Sequence, residues 1–452
     1  MRSTVSDSTL LLVAGDVIIA LGIFFSVCFM QGNCPEHTDI IRPAIWVIIV
    51  VFSSYLFELY VTDTNHNMKR FLMKTLQSLM AALCLLALIG FVIQSLLLGR
   101  VLLLGGLLVF GVLQSLWHWS MARLQASPEF ARRILVIGTG ALAFKMTRLI
   151  TSHNPTYWLV GHVASSSGPV EVPEHLVIPN GRPLLDVVAQ TAANKVVVAL
   201  GDRRGQVPIR DLLDCKLSGV PVVDAATFYE ELNGKLMIEH LTPSALIFSD
   251  GFRINDTTRF VKRVVDLACA GGLLFLVAPM LPIVALLIKM DSPGTVLFRQ
   301  ERVGEGGKTF NVLKFRTMRQ DAESKTGAVW ALENDPRVTR VGRFLRTYRI
   351  DELPQLWNVL RGEMSFVGPR PERPQFVQEL ASKIPFYAER HSVKPGVTGW
   401  AQVRYSYGTA LVEDTFEKLS YDLYYIKHMS LMFDILVVLE TIKTVLFGRG
   451  SK

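Results

Sequence analysis

The chain has 452 residues, of which 50% are hydrophobic and only 19% charged, and its formal net charge is +8. That length exceeds one compact domain, and so apolar a chain with so little charge is not an ordinary soluble or disordered protein but one with membrane segments. A positive excess suits nucleic acid, anionic lipid or an anionic substrate, yet no basic low-complexity tail or zinc-finger spacing accompanies it, so nucleic acid is not expected as a partner.

Four apolar stretches come first, at about 10–30, 41–60, 71–93 and 101–117. Each is close to the ~20 residues needed to cross a bilayer core, and together they predict a four-helix transmembrane unit over 1–125. The first lacks a cleavage pattern and reads as an anchor that stays. Lys69, Arg70 and Lys74 lie by the second connection and Arg123, Arg132 and Arg133 follow the fourth stretch, whereas the first connection holds Glu36, His37 and Asp39 with a single Arg42. The positive-inside rule then puts both ends of the unit in the cytoplasm. Asp16, inside the first stretch, reads as a packing or near-interface residue. The five cysteines (Cys28, Cys34, Cys84, Cys215, Cys269) are odd in number and scattered, with no CxxC spacing, so no disulfide framework is expected.

Residues 131–248 predict a Rossmann-like cytoplasmic α/β module. Arg133-Ile-Leu-Val-Ile-Gly-Thr-Gly-Ala-Leu-Ala143 is a buried strand running into a glycine-rich turn and a helix, and Val196–Leu200 and Val220–Val223 are further buried strands. G-x-G-x-x-A alone is a weak signal. The second strand, near Trp158–Val163, ends in Ala164-Ser165-Ser166, where a dinucleotide site would have an acid for the ribose. A degenerate structural or regulatory module is favoured over a nucleotide site.

A fifth apolar run, 264–290, is introduced by Lys262-Arg263 and closed by Lys289 and Asp291. Its Gly271-Gly272, Pro279 and Pro282 argue against a straight crossing, because proline removes a backbone donor and kinks a helix. A re-entrant helix over about 262–290, dipping into one leaflet, is the favoured reading. The polar, arginine-rich remainder predicts a mixed, mainly α domain with few strands over 257–452. Its closing stretch, 431–447, is either a core helix or an interfacial amphipathic one, and Tyr421, Tyr424 and Tyr425 suit a headgroup belt or a packed core equally.

The chemistry concentrates around Asp351 and Glu352, where a helix is expected to begin. Leu353, Leu356, Trp357 and Leu360 mark its buried stripe, Pro354 its first turn and Gly362 its stop. Three basic strings precede the pair: Phe298–Gly304, Lys314–Met318, and Asp335–Arg343 with Arg346 and Arg349 beyond. Guanidinium forks match phosphate oxygens. Asp351 is either a simple helix cap or a carboxylate nucleophile supported by Glu352, and two carboxylates also invite Mg²⁺.

Taken together, Lys262-Arg263-Val-Val-Asp266, Asp291-Ser-Pro-Gly294, Arg299–Gly304, Lys314–Met318, Asp351–Asn358, Met364–Pro371 and Lys394–Gln402 resemble the bacterial sugar transferases, the monotopic polyprenyl-phosphate phosphoglycosyl transferases. Asp202-Arg203-Arg204-Gly205 and Leu246–Phe252 look similar to the subgroup linked to exosortase-type exopolysaccharide systems. The resemblance implies transfer of a sugar-1-phosphate from a UDP-sugar to polyprenyl (undecaprenyl) phosphate with release of UMP, starting exopolysaccharide synthesis. It implies Asp351 as the nucleophile of a covalent phosphosugar intermediate and as a Mg²⁺ contact, with Glu352 completing the dyad. Arg346, and Arg370 with Pro369 in the Pro-Arg-Pro motif, match substrate-holding positions; Lys314, Arg316 and Arg302 match motif positions around the same site. Pro279 matches the proline that breaks the re-entrant helix, although Ala278 stands where the family often has serine. The implied setting is the bacterial inner membrane, in contact with its lipid, with the catalytic domain on the cytoplasmic face; a homodimer through the N-terminal part is a further expectation. A membrane-bound nucleotide-sugar dehydratase would need Tyr-x-x-x-Lys, and no tyrosine here has lysine four residues later. A non-catalytic scaffold would tolerate Asp351→Asn. No residue decides which sugar is transferred.

Overall fold

The computed structural model describes residues 7–31, 40–60, 68–94, 99–125, 131–152, 157–164, 170–179, 181–201, 208–241, 243, 246, 251–252, 255–320, 335–405 and 412–447. The chain forms two compact units that meet in sequence between Phe228 and Tyr229.

The first unit opens with α1 (Asp7–Met30), α2 (Ile41–Leu56), α3 (Met68–Val92) and α4 (Leu107–Gln125), the last entered through a π-helical turn at Val101–Gly106. Thr9–Met30, Met68–Val92 and Val101–Leu124 are long and apolar enough to cross a membrane. The second expected stretch is shorter than its sequence suggested. Its helix has 16 residues and stops at Leu56, because the chain reverses at Glu58, which has a left-handed φ of 59°. The reversal carries the buried Leu59 and Tyr60 back onto the bundle. Asp16 is fully buried and accepts hydrogen bonds from the Tyr60 hydroxyl (2.8 Å) and Gln114 Nε2 (2.5 Å), with His118 Nε2 at 3.2 Å. A buried polar group among apolar helices needs such partners, which is the packing role read from the sequence. Cys28, Cys84, Cys215 and Cys269 are free thiols; Cys34 lies outside the described residues.

The same unit then builds a five-stranded parallel sheet from β1 (Arg132–Ile137), β2 (Tyr157–Val163), β3 (Val177–Ile178), β4 (Lys195–Val198) and β5 (Val222–Asp224), in the order β3-β2-β1-β4-β5. The helices α5 (Ala141–Ser152), α6 (Leu184–Thr191) and α7 (Ile209–Leu217) lie between strands, and α8 (Ala225–Asn233) follows β5 and runs past the boundary at Phe228. β1 and β4 are buried throughout their apolar runs, as parallel central strands are. The glycine-rich turn after β1 has an internal explanation. Gly138 has φ 118°, and a Cβ there would meet the Ala199 carbonyl oxygen at 2.5 Å; the next residue, Thr139, gives its carbonyl to Glu171 N at 2.8 Å. β2 ends at Val163 and is followed by Ala164. The loop at 165–169 and the motif at 202–205 lie outside the described residues, as does most of 246–252.

The second unit holds α9 (Asp256–Val277), a 3-10 turn at Ala278–Met280 and α10 (Leu281–Asp291). This 36-residue run is the fourth that is long and apolar enough to cross a membrane, and Phe275 (85% exposed), Leu276, Ile283, Leu286 and Met290 face away from the protein. A β6–β7 hairpin (Leu297–Val303, Thr309–Phe315) follows, then α11 (Arg340–Thr347), a 3-10 turn at Ile350–Glu352, α12 (Gln355–Arg361) and β8 (Ser365–Val367). α13 (Pro374–Lys383), β9 (Gly396–Thr398, parallel to β8), α14 (Trp400–Arg404), α15 (Val412–Lys427) and α16 (Leu431–Leu446) complete it.

Both flanks of the apolar run are tied into this unit. Arg263 donates to the Val359 (2.6 Å) and Leu360 (2.9 Å) carbonyls in the last turn of α12, where a cation is favoured. Lys262 donates to the Val367 carbonyl (3.0 Å) and the Asp434 carboxylate (2.6 Å). Asp266 accepts from Ser365 Oγ (3.1 Å) and Phe366 N (2.9 Å). At the far flank Asp291 accepts from Val341 N (2.9 Å), at the start of α11.

Tyr421, Tyr424 and Tyr425 are core residues rather than a headgroup belt; with Trp400 and Phe433 they form the largest apolar cluster of the unit. Residues 229–241, which the sequence reading placed in the preceding module, pack into that same cluster. Leu236 and Ile238 are buried there, Leu236 N donates to the Ser420 carbonyl (3.0 Å), Trp400 Nε1 donates to the Gly234 carbonyl (2.7 Å), and Lys427 pairs with Glu230 (2.7 Å). Leu236 is 2% exposed within this cluster, so Leu236→Ala leaves a cavity and is predicted to destabilise the protein by about 2–5 kcal/mol. A drop of several degrees in thermal unfolding in detergent is the expected reading.

Candidate active site

The acidic pair is placed by two backbone devices. Gly342 lets α11 lie directly on the strand that extends β7, since a Cβ there would sit 2.1 Å from the Thr317 carbonyl oxygen. Arg349 then adopts a left-handed conformation (φ 56°), which reverses the chain into the 3-10 turn and directs Asp351 and Glu352 inward. Residues 348–354 alone join α11 to α12. The helix after the pair begins later than the sequence suggested: Pro354 is its N-cap and Gly362, at φ 84°, its stop. Asp351 is therefore not the cap of α12. The buried stripe is Leu356 and Val359, whereas Trp357 is 47% exposed, with Arg361 over its ring.

Glu352 is the hub of the site. Its carboxylate takes Arg370 Nη2 at 2.8 Å, Lys314 Nζ at 3.0 Å and Arg349 Nη1 at 3.7 Å. Burial alone would raise its pKa, but the charges of Arg370, Lys314 and Arg349 outweigh burial and hold it well below the ordinary glutamate range. Asp351 is equally buried, at 8% exposed, yet among the described residues it has no hydrogen-bond or ion-pair partner. Burial first, and then the Glu352 charge beside it, push its pKa up to about 6, against the pull of Lys314, Arg346 and Arg370. Two adjacent carboxylates thus have opposite environments, which is how acid–base and nucleophilic roles become separated. One is permanently anionic and fully engaged; the other is uncommitted and surrounded by positive charge.

Not every residue expected at the site faces it. Arg346 donates its Nε to Thr317 Oγ1 (2.8 Å) and contributes its charge to Asp351. Arg302 is turned to the loop after β8, bonding the Pro371 carbonyl (3.0 Å) and Gln300 (2.6 Å). Arg316 is buried against Ser292, donating Nη2 to its carbonyl (2.6 Å) and hydroxyl (3.0 Å). Pro369 contributes its carbonyl to Gly396 N (2.9 Å). Pro279, expected as the kink of the apolar run, lies in its 3-10 turn. Arg337 is engaged by Asp335, at 2.5 Å from Oδ2. The structure thus gathers Asp351, Glu352, Lys314, Arg346 and Arg370, and turns Arg302 and Arg316 to holding backbone.

A divalent cation is the group such carboxylates invite. Among the described residues no cluster of three or more His, Cys, Asp or Glu side chains forms. Mg²⁺ commonly uses one or two carboxylates with waters and substrate phosphates, and the uncommitted Asp351 fits that mode.

The profile of a family described as bacterial sugar transferase matches residues 257–448. The chain is 44% identical over 243 residues to a UDP-N-acetylgalactosamine-undecaprenyl-phosphate N-acetylgalactosaminephosphotransferase of Aeromonas hydrophila, covering 54% of this chain and 56% of that one. It is 37% identical over 332 residues to an undecaprenyl-phosphate glucose phosphotransferase of Komagataeibacter xylinus, covering 72% of this chain and 60% of that one. An exopolysaccharide production protein of Rhizobium leguminosarum bv. phaseoli is 42% identical and is covered over 98% of its length by 42% of this chain. The chain belongs to the bacterial sugar transferase family. It spans between half and three-fifths of the length of the Aeromonas and Komagataeibacter relatives and of a UDP-glucose:undecaprenyl-phosphate glucose-1-phosphate transferase of Escherichia coli.

In this member of the sugar transferase family, several residues of the sequence motifs hold the structure around the acidic pair. Lys262, Arg263 and Asp266 hold the apolar run to β8 and α12. Asn358 bridges α12 to β7, accepting from Leu313 N (3.0 Å) and donating to the Asn311 carbonyl (2.7 Å). Arg349 joins the Glu352 cluster. The available signal was the spacing of charged residues at the start of an otherwise apolar helix.

The two carboxylates predict opposite effects on stability. Asp351 has a folded pKa near 6, above its ordinary 3.8, so the folded state binds the proton more tightly and stability falls as pH rises between about 4 and 6. Asp351→Asn removes that cost and is expected to raise the melting temperature at pH 7. Glu352→Leu strands three cations and is expected to lower stability by about 3 kcal/mol. Thermal unfolding of the two variants beside wild type checks both signs.

Proposed function

We propose that the protein transfers a sugar-1-phosphate from a UDP-sugar to polyprenyl phosphate through a covalent adduct on Asp351, releasing UMP and starting exopolysaccharide synthesis. The observation that carries this reading is the contrast within the acidic pair. Glu352 is saturated by Lys314, Arg349 and Arg370, whereas Asp351 is desolvated, unbonded among the described residues and within the field of Lys314, Arg346 and Arg370. A desolvated carboxylate is a better nucleophile, and the cations beside it recruit the phosphates that would otherwise be repelled.

In the first step an Asp351 oxygen lone pair forms a bond to the sugar-bearing phosphorus while the bond to the UMP oxygen breaks, and UMP leaves. In the second, a phosphate oxygen of the lipid attacks that phosphorus and the Asp351 carboxylate is released, giving a polyprenyl diphosphate sugar. Lys314, Arg346, Arg349 and Arg370 hold and neutralise phosphate oxygens in both steps. Mg²⁺ bound through Asp351 would supply further neutralisation of phosphate charge.

The membrane setting follows the same reading. The apolar run is proposed to re-enter one leaflet, with the domain on the cytoplasmic face of the inner membrane. Its two flanks bond α12 through Arg263 and α11 through Asp291, helices separated in sequence by a short turn, whereas a straight crossing would carry them about 30 Å apart. The parallel strand order of the first unit supports a Rossmann-like module. The curated relatives are named for N-acetylgalactosamine and for glucose, so the donor is tested as a panel. The likeness of 202–205 and 246–252 to the exosortase-linked subgroup supports an exopolysaccharide product.

Incubation with donor alone is expected to add one phosphosugar mass to Asp351, and Asp351→Asn to abolish UMP release. Turnover without any such adduct refutes the mechanism. Because the nucleophile must be ionised, kcat/KM is expected to fall about tenfold per pH unit below pH 6. For topology, single cysteines placed at Asp256 and Ser292 in an otherwise cysteine-free chain should label from the same side of sealed vesicles; labelling from opposite sides would establish a crossing.

A further inference from the structure

The segment that delivers Arg370 to Glu352 has almost no structure of its own. Pro369 and Pro371 lack N–H groups, and residues 368–373 belong to neither helix nor strand. Yet each carbonyl from Pro369 to Glu372 is gripped from outside. Pro369 gives its carbonyl to Gly396 N (2.9 Å), Arg370 to Arg390 Nη2 (2.9 Å), Pro371 to Arg302 Nη1 (3.0 Å) and Glu372 to Val303 N (2.9 Å). Two of these grips are backbone amides, which any side chain would preserve. The grip on Arg370 itself depends on one guanidinium.

Arg390 is 6% exposed and is fixed by two further buried groups. Its Nη2 also bonds the Asp422 carboxylate on α15 at 2.8 Å, and its Nη1 bonds the Tyr387 hydroxyl at 2.7 Å. Asp422 and Tyr387 are 3% and 1% exposed. Desolvating such an ion pair offsets most of its attraction, so a hydrophobic replacement of the same volume would hold the core as well. What a hydrophobic replacement cannot do is hold the Arg370 carbonyl while that residue's side chain reaches the other way to Glu352.

We infer that Arg390, held by Asp422 and Tyr387, is a positioning residue for phosphoryl transfer: it fixes the main chain of Arg370 so that the Arg370 guanidinium meets the Glu352–Asp351 pair. The inference rests on the function proposed above, and its test separates the two. UMP release is measured against UDP-sugar concentration in the full-length protein in detergent, with melting temperature in parallel. The paired variant Arg390→Gln with Asp422→Asn removes both charges and leaves no stranded ion. It is expected to lower kcat/KM by about 10- to 100-fold, chiefly through a higher KM for the UDP-sugar. Arg390→Lys, with one remaining grip, is expected to fall between that variant and wild type. Tyr387→Phe removes only a hydroxyl, so it reports even where the paired variant does not fold, and a loss of about threefold is expected. The deciding measurement repeats these changes in an Arg370→Ala background, where a positioning residue has nothing left to position and the added loss should shrink to less than about twofold. An undiminished loss there, or unchanged kcat/KM in all three variants, overturns the inference. A wild-type protein that releases no UMP from any donor overturns the proposed function instead.

Discussion

The arrangement of the acidic pair and its cations depends on one buried carboxylate. Glu352 draws Lys314 from β7, Arg349 from the turn after α11 and Arg370 from the loop after β8 to a single point. Apolar packing of Phe315 with Leu345, Ile350 and Leu353 also joins β7 to the turn, but three cations would not be held together in a half-buried site without an anion among them. Once they are there, their field extends to the neighbouring Asp351, which bonds none of them among the described residues and yet is shaped by two of them. The division of labour in the pair is therefore electrostatic before it is chemical. One acid organises charge, and the other is left desolvated beside it.

The apolar run is attached to that cluster through main-chain groups. Arg263 meets the carbonyls that close α12, and Lys262 and Asp266 meet the carbonyl of Val367 and the amide of Phe366 in β8. α12 follows the acidic pair directly and β8 leads into Arg370. The same few bonds that hold the apolar run to the polar part of its unit thus also reach both segments that flank the cation cluster.

The sequence made the membrane stretches, the parallel strands and the acidic pair legible, because each rests on a local pattern: apolar length, buried β-branched runs, and carboxylates among arginines. It was less informative where long-range contact decides. α2 ends early because Glu58 reverses the chain, and the face of α12 that packs is the one with Leu356 and Val359, which leaves Trp357 outside. The tyrosines of α15 looked equally suited to a headgroup belt until Trp400 and Phe433 closed over them. Among the arginines, motif position did not distinguish those facing the acid pair from Arg302 and Arg316, which hold backbone. That distinction depends on which carbonyls lie nearby in space.

Arg349 shows how one residue can carry two opposed demands. A non-glycine residue in the left-handed region carries a backbone penalty of about 1 kcal/mol, and Arg349→Gly would relieve it. The same exchange would take one of the cations from the buried Glu352 and loosen the unfolded chain, and both effects cost stability. The strain is thus offset where it is incurred, and a screen for thermal survival alone would retain the arginine.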